Sequence, residues 1–143
     1  MTTLIYHSKA NDLGSSEELE SFLTTIRLEN IRLNITGVLL YNEGQIMQII
    51  EGENAAIIEL FEKIKIDKRH KDIVKIVDFK MQERCYEDWS MAFKAISNKD
   101  WSTVKGYLNI DDNITSLIKN TSKRNYIKML IATFVNEEIV VEG

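Results

Sequence analysis

The order in which strand-like and helix-like hydrophobic patterns follow one another is the feature that most constrains the fold of this chain. Strand-length apolar runs are separated either by a short turn or by a segment whose apolar residues recur every three or four positions. The predicted strands cover residues 4–6, 35–41, 46–50 and 73–81. The helical stripes consist of Leu19, Phe22, Leu23, Ile26 and Leu33, and of Ile57, Leu60, Phe61 and Ile64.

Local signals mark where these segments begin and end. The chain has no proline and six glycines, so Asn, Asp and Gly must supply its turns. A turn cluster at residues 11–14 precedes Ser15, which forms a capping box with Glu18 and predicts the start of the first helix. Residues 42–44 predict a hairpin, and the second helix is expected over about residues 54–68.

The resulting order, β-α-β-β-α-β, predicts an α+β protein of the ferredoxin-like type. In this arrangement strands one and three are neighbours at the sheet centre, and both long helices cover one face. A weaker fifth strand is expected around residues 90–95, followed by two C-terminal helices. These helices, or a second subunit, must cover the opposite sheet face. We therefore divide the chain into a core at 1–97 and a helical cap or output segment at 98–143.

The predicted C-terminal helices rest on two further apolar stripes. They consist of Ile114, Leu117 and Ile118, and of Ile127, Leu130, Ile131 and Phe134.

Composition narrows the function classes. The net charge of −4 argues against nucleic acid as the main partner, because phosphate contact needs a concentrated basic surface. The single cysteine, Cys85, excludes an internal disulfide and fits a reducing compartment. No apolar run has the length of a membrane span, and no signal-peptide pattern begins the chain. A soluble cytoplasmic protein is the expectation.

Three polar residues fall where the patterns predict burial. Gln48 lies between Ile46 and Ile50 on one face of strand three, and an unpartnered buried amide would cost about 1–3 kcal/mol. Asn30 falls on the buried stripe near the end of the first helix, where a helix cap is the simpler interpretation. Tyr6 ends strand one, beside strand three. If these groups face the helices, a phenol and two amides converge in an apolar pocket, a pattern typical of a heterocycle site.

Lys63 and Asp67 are four residues apart on the second helix. They are either a surface ion pair or a pair lining the ligand slot. The basic run from Lys63 to Lys71 can either meet a ligand phosphate or complement the helix dipole.

At these positions the sequence resembles the BLUF family, the blue-light sensors that use FAD. The likeness covers about residues 4–95, and the spacing from Asn30 to Gln48 also fits. The matching motifs are LIYHS at 4–8, NITGVLLY at 34–41, QIIEGE at 48–53, DKRH at 67–70 and WSM at 89–91.

The resemblance implies a non-covalent FAD between the two long helices, with FMN or riboflavin as possible substitutes. Tyr6 and Gln48 would form the photoactive pair, with Met91 and Trp89 reporting the state of Gln48. The remaining cofactor contacts implied are Asn30, Ile35, Lys63 and Asp67. Glu29 stands where the family often has an uncharged polar or aromatic residue, and Ile26 where a small hydroxyl residue is common. Both departures are expected to alter flavin affinity or recovery rate.

The implied function is a photoreceptor, not an enzyme. Tyr6 would give an electron and a proton to blue-light-excited flavin, and their return would leave Gln48 rotated or tautomerised. The signal would pass through strand five and the tail to an unidentified protein partner, and a homodimer is expected. The alternatives are an input module cut from a light-regulated nucleotide cyclase or phosphodiesterase, an acylphosphatase-like hydrolase and a module without a ligand. The hydrolase is disfavoured because residues 9–14 contain one glycine and no arginine.

Overall fold

The computed structural model describes residues 1–10, 16–42, 44–86, 91–95 and 124–135. The first six elements follow the predicted β-α-β-β-α-β order, which is thereby confirmed. Trp89, Ser15, the predicted helix around Ile114 and the domain boundary at residue 97 lie outside the described residues. The elements are β1 (Thr2–Ala10), α1 (Ser16–Leu33), β2 (Thr36–Asn42), β3 (Gln45–Gly52), α2 (Asn54–Ile66), β4 (His70–Lys80), β5 (Ala92–Ala95) and α3 (Arg124–Val135).

The strands form one sheet in the order β4-β1-β3-β2-β5. β1 pairs antiparallel with both β3 and β4, and β3 pairs antiparallel with β2. β5 runs parallel to β2, with Val38 opposite Ala92. The predicted adjacency of the first and third strands at the sheet centre is therefore correct.

Alternation along the central strands gives the sheet two apolar faces. One face carries Leu4, Tyr6 and Ile50 and packs against α1 and α2. The other face carries Ile5, Val38, Leu40, Met47 and Ile49. Side chains of α3 cover that second face, through Ile127, Ile131 and Phe134. The face that the sequence left to either a tail helix or a second subunit is thus occupied by a helix of this chain.

The end of α1 is fixed by the backbone, and this settles which asparagine is the cap. Asn34 has a φ of 54°, the left-handed conformation that follows many helices. Its N–H donates to the Ile31 carbonyl at 3.2 Å, and the Ile35 N–H donates to the Asn30 carbonyl at 2.8 Å. This is the Schellman pattern, so Asn34 and not Asn30 takes the capping position.

Tertiary contacts move several predicted boundaries. β1 extends to Ala10 and β4 begins at His70, because these two residues face each other in the β1–β4 ladder. α2 ends at Ile66 and not at 68, with the Asp67 N–H donating to the Ile64 carbonyl at 3.2 Å. The helices that the structure describes include none with the length and apolar character needed to cross a lipid bilayer.

Candidate functional site

A cavity of about 380 Å³ lies between α1 and α2, above the centre of the sheet. Its floor is formed by β1 and β3, and its walls by the two helices and the segment after α2. The lining residues are Tyr6, Phe22, Thr25, Ile26, Leu28, Glu29, Asn30, Gln48, Leu60, Lys63, Ile64, Asp67, Arg69 and His70.

The floor of the cavity carries the pair that the sequence analysis singled out. Tyr6 and Gln48 are opposite each other in the β1–β3 register, and their side chains meet on the helix-covered face. The Tyr6 hydroxyl donates a short hydrogen bond to Oε1 of Gln48, and both residues are buried. Burial, aided by the nearby Asp67 carboxylate, raises the pKa of the Tyr6 phenol. Tyr6 therefore stays protonated across the physiological range and acts as a donor.

The amide nitrogen of Gln48 has a different partner. Its Nε2 lies 3.5 Å from the sulfur of Met91, a weak acceptor in the residue that precedes β5. Met91 is almost fully buried and belongs to the same apolar cluster as Tyr6. The structure thus places Met91 against Gln48.

Asn30 lies on the α1 side of the cavity. It is completely buried three residues before the end of the helix, and it contributes to the cavity lining. A buried amide carries both a donor and an acceptor, the complement of an imide edge on a planar heterocycle. Tyr6, Gln48 and Asn30 are therefore brought together in one cavity, as the strand topology predicts.

The far wall is formed by the residues that follow α2. The Arg69 guanidinium binds the Asp67 carboxylate through two nitrogens, with Nε 3.0 Å from Oδ1 and Nη2 2.5 Å from Oδ2. This interaction with Arg69 holds the pKa of Asp67 below its usual range. The guanidinium also lies 4.8 Å from the centre of the Phe22 ring, joining the far wall to α1.

A charged cluster of Glu29, Arg32, Glu59 and Lys63, which we call the mouth cluster, adjoins the cavity through Glu29 and Lys63, which line it. Arg32 binds Glu29 at 2.6 Å and also contacts Glu59. Lys63 contacts Glu29 and lies 3.7 Å from Glu59. The interpretation of Lys63 and Asp67 as an ion pair is wrong. Both residues line the cavity, but each has another partner. Lys63 pairs with Glu29 on α1 and with Glu59 on α2, whereas Asp67 pairs with Arg69, two residues later.

Two apolar residues fall at different distances from the cavity. Ile26 lines it directly. Ile35 is buried in the adjoining cluster and is not among the described residues that line the cavity. Its role in packing against a ligand ring stays a prediction.

The sequence analysis missed several buried polar contacts around this site. Ser8 Oγ lies 2.9 Å from Nδ1 of His70, whose Nε2 lies 2.8 Å from the Ile64 carbonyl. Because a carbonyl only accepts, Nε2 carries a proton and donates to Ile64. This buried histidine joins β1 to the end of α2. Ser8 and His70 are 62 positions apart, so no periodicity in the sequence could have predicted their contact.

A second missed contact lies on the opposite face of the sheet. Glu51 is fully buried, and its two carboxylate oxygens accept the backbone N–H groups of Cys85, at 2.6 Å, and Tyr86, at 2.7 Å. Burial raises the pKa of Glu51, while these two bonds oppose the shift. Arg84 adds bonds to the Glu51 and Asn34 carbonyls. The chain after β4 is therefore fixed to the end of β3.

The site has the chemistry to hold a flat heteroaromatic ring. The walls supply the apolar side chains of Phe22, Ile26, Leu60 and Ile64, and a phenol and two amides supply hydrogen-bond donors and acceptors. The described residues contain no group of His, Cys, Asp and Glu suited to a metal ion.

Comparison with known proteins identifies this arrangement. Residues 1–92 match the family model described as BLUF, sensors of blue light using FAD. The chain therefore belongs to the BLUF family. Its matched part is a blue-light sensor domain that uses FAD.

Individual relatives support the assignment. The photoactivated adenylate cyclase subunit beta of Euglena longa is 38% identical over 92 residues, which are 64% of this chain and 11% of that protein. The structure of BlrB, a BLUF protein in its dark state, is 34% identical with a TM-score of 0.63, covering 66% of this chain and 71% of BlrB. Klebsiella pneumoniae BlrP1, solved with FMN and cyclic diGMP, is 25% identical with a TM-score of 0.72, covering 96% of this chain and 35% of that one. This chain spans only a small part of the curated cyclase relative.

Proposed function

We propose that this chain is a blue-light photoreceptor in which Tyr6 and Gln48 respond to the excitation of a flavin held non-covalently between α1 and α2. The observation that carries the proposal is the buried hydrogen bond from the Tyr6 phenol to the Gln48 amide on the cavity floor. This bond puts a proton donor in direct contact with an amide that also lines the cavity. Because Tyr6 and Gln48 are both buried, the phenol and the amide can exchange a proton with little interference from bulk water.

The residues present fit a flavin. Asn30 and Gln48 offer amide groups for the polar edge of the ring system, and Ile26 and Leu60 offer apolar surface for its faces. Lys63 and Asp67 contribute from α2 and from the residue that follows it, and Ile35 supports the apolar layer behind. The ligand proposed is FAD; FMN is a plausible substitute because BlrP1 was solved with FMN.

A bound flavin supplies absorption of blue light and a strongly oxidising excited state. Tyr6 would give an electron from its ring to the excited flavin, and its phenolic proton would move onto the Gln48 amide to which it is already hydrogen-bonded. Both return to Tyr6, so no net oxidation takes place and no covalent bond forms. What remains is a Gln48 side chain that is rotated or tautomerised. Its changed hydrogen bond toward the flavin would shift the absorption band of the flavin to the red.

The output is a population shift passed on by Met91, which contacts Gln48 and immediately precedes β5. Trp89 is proposed to take part in the same response. β5 leads toward the tail, where α3 covers the second face of the sheet. A cytoplasmic location, a protein partner and a homodimer complete the proposal.

A second candidate role is the input module of a larger light-regulated enzyme. The observation that favours it is the Euglena longa relative, in which the matched region makes up 11% of a cyclase subunit. BlrB supports the simpler role, because the match covers 71% of that BLUF protein. The length of the natural reading frame distinguishes the two.

The decisive experiment is an absorption spectrum of the purified protein, with FAD added, before and after blue illumination. We expect a flavin band that shifts to the red and returns in the dark. A protein that shows no flavin band after FAD is added, or a bound flavin whose band does not move, would contradict the proposal.

A further inference from the structure

The proposed mechanism does not use one contact between α1 and the residue that precedes β5. The Nε–H of Arg27 donates to the backbone carbonyl of Met91 at 3.0 Å. The sulfur of the same methionine lies 3.5 Å from Nε2 of Gln48. Met91 is thus held at its backbone by the arginine, and its side chain contacts the photoactive amide.

We propose that Arg27 is a positioning residue that holds Met91 against Gln48 and thereby shortens the lifetime of the light-induced state. This inference rests on the proposed function, and it takes the rotated form of Gln48 as the light-induced state. Arg27 is half-buried on α1 and follows the cavity-lining Ile26, but it is not itself among the described residues that line the cavity.

The direction of the effect follows from the polarity of the amide. Nε2 of Gln48 is a donor and the methionine sulfur is a weak acceptor, so the two groups attract in the observed orientation. Rotation of the amide exchanges Nε2 and Oε1 and turns the oxygen toward the sulfur. Two acceptors then face each other without a proton between them, which raises the free energy of the rotated state.

Met91 could relieve this repulsion by moving away, but two backbone contacts resist that movement. The Arg27 bond fixes its carbonyl, and the next residue, Ala92, pairs with Val38 in the β2–β5 ladder. With Arg27 in place the rotated amide stays destabilised and returns quickly. Without it, Met91 has more freedom to withdraw, and the rotated amide lasts longer.

The test compares rates of dark recovery after blue illumination in the full chain with FAD bound. We expect Arg27→Met to bind FAD, to show the red shift and to recover about threefold more slowly or slower still, since one hydrogen bond is lost from a cationic donor. Arg27→Lys keeps a charged donor and should recover at a rate between those of the wild type and Arg27→Met. Lys75→Met, which removes a cation from the exposed part of β4, should recover like the wild type.

A double-mutant cycle separates positioning from a general effect on packing. In the Met91→Leu background the sulfur is absent, so adding Arg27→Met should slow recovery no further. The inference is overturned if Arg27→Met and Arg27→Lys show the red shift with unchanged or faster recovery. It is also overturned if Arg27→Met slows recovery equally in both backgrounds. A wild-type protein without a reversible red shift would contradict the proposed function itself.

Discussion

Tyr6 and Gln48 face each other across the two central strands, and the phenol of one donates a hydrogen bond to the amide oxygen of the other. Antiparallel pairing fixes this meeting, because a shift of one residue in either strand would turn one side chain to the opposite face. Both side chains are nearly inaccessible to solvent, at 2% and 1% exposed. The register of the sheet therefore sets the geometry of the pair that we propose to be photoactive, and the consequences of this geometry can be tested.

Replacing Gln48 with Leu should leave flavin bound and abolish the red shift. Leucine has a similar volume but no amide, so the side chain can neither accept the Tyr6 proton nor change its hydrogen bonding. The measurement is the light-minus-dark difference spectrum. Met47→Leu, on the neighbouring position that faces α3, is the matched control and should keep the shift. A red shift in Gln48→Leu of the wild-type size would remove the amide from the mechanism.

Replacing Tyr6 with Phe should abolish the photoresponse while the fold is retained. The ring still fills its place beside Phe61, whose centroid is 5.9 Å away, but the hydroxyl donor is lost. The same difference spectrum, recorded after prolonged illumination, is the measurement. Tyr41→Phe removes a hydroxyl from β2 without touching the cavity lining and serves as the control. A normal light response in Tyr6→Phe would refute Tyr6 as the donor.

Replacing Glu51 with Ala should lower the free energy of unfolding by about 3 kcal/mol, because two buried N–H groups lose their acceptor. The absorption maximum of bound flavin in the dark should not move, since Glu51 lies three residues beyond Gln48, on the opposite face of β3. Denaturant unfolding of the flavin-bound protein measures the first effect, and a spectrum the second. Glu53→Ala, at an exposed position two residues later, should be close to neutral. Equal stabilities of the two variants would contradict this account.

Lowering the pH should reduce the stability that the mouth cluster gives to the fold, and the reduction should be larger in the wild type than in Glu29→Gln. Hydrogen bonds from Arg32 and then Lys63 lower the pKa of Glu29 to about 2. A carboxyl group whose pKa is lower in the folded state stabilises the fold above its unfolded pKa, near 4.3, and this stabilisation is lost as the pH falls toward 2. The free energy of unfolding, measured between pH 6 and pH 3, should therefore fall less steeply for Glu29→Gln.

Glu83→Gln, at an exposed position after β4, is the control for the acid experiment. It should follow the wild-type pH dependence. If Glu29→Gln followed it as well, the carboxylate would not be engaged in the mouth cluster in solution.

Much of this architecture could be predicted from the sequence because it depends on local periodicity. Alternation assigned Gln48 to the same face as Ile46 and Ile50, and the β-α-β-β-α-β order placed its strand beside that of Tyr6. The convergence of the two side chains then follows from topology alone. Burial of Asn30 on the stripe of α1 was predicted in the same way, although its alternative role as a cap belongs to Asn34.

The contacts that escaped prediction join residues far apart in the chain by side-chain reach. Glu51 binds backbone groups 34 and 35 positions later, and Arg27 reaches a carbonyl 64 positions later. Neither contact repeats with a period, so composition and spacing contain no sign of them. The interpretation of Lys63 and Asp67 as an ion pair is wrong for the same reason. Lys63 pairs with Glu29 on α1, and Asp67 pairs with Arg69.

The two central strands present Tyr6 and Gln48 to one layer and Ile5, Met47 and Ile49 to the other. The residues that face the cavity and the residues that face α3 therefore alternate along the same two strands. Substitutions can accumulate at one set while the other is preserved, so tails of different relatives should be exchangeable as parts without retuning the chromophore. Under the proposed function, Met91 and β5 would connect the two sets.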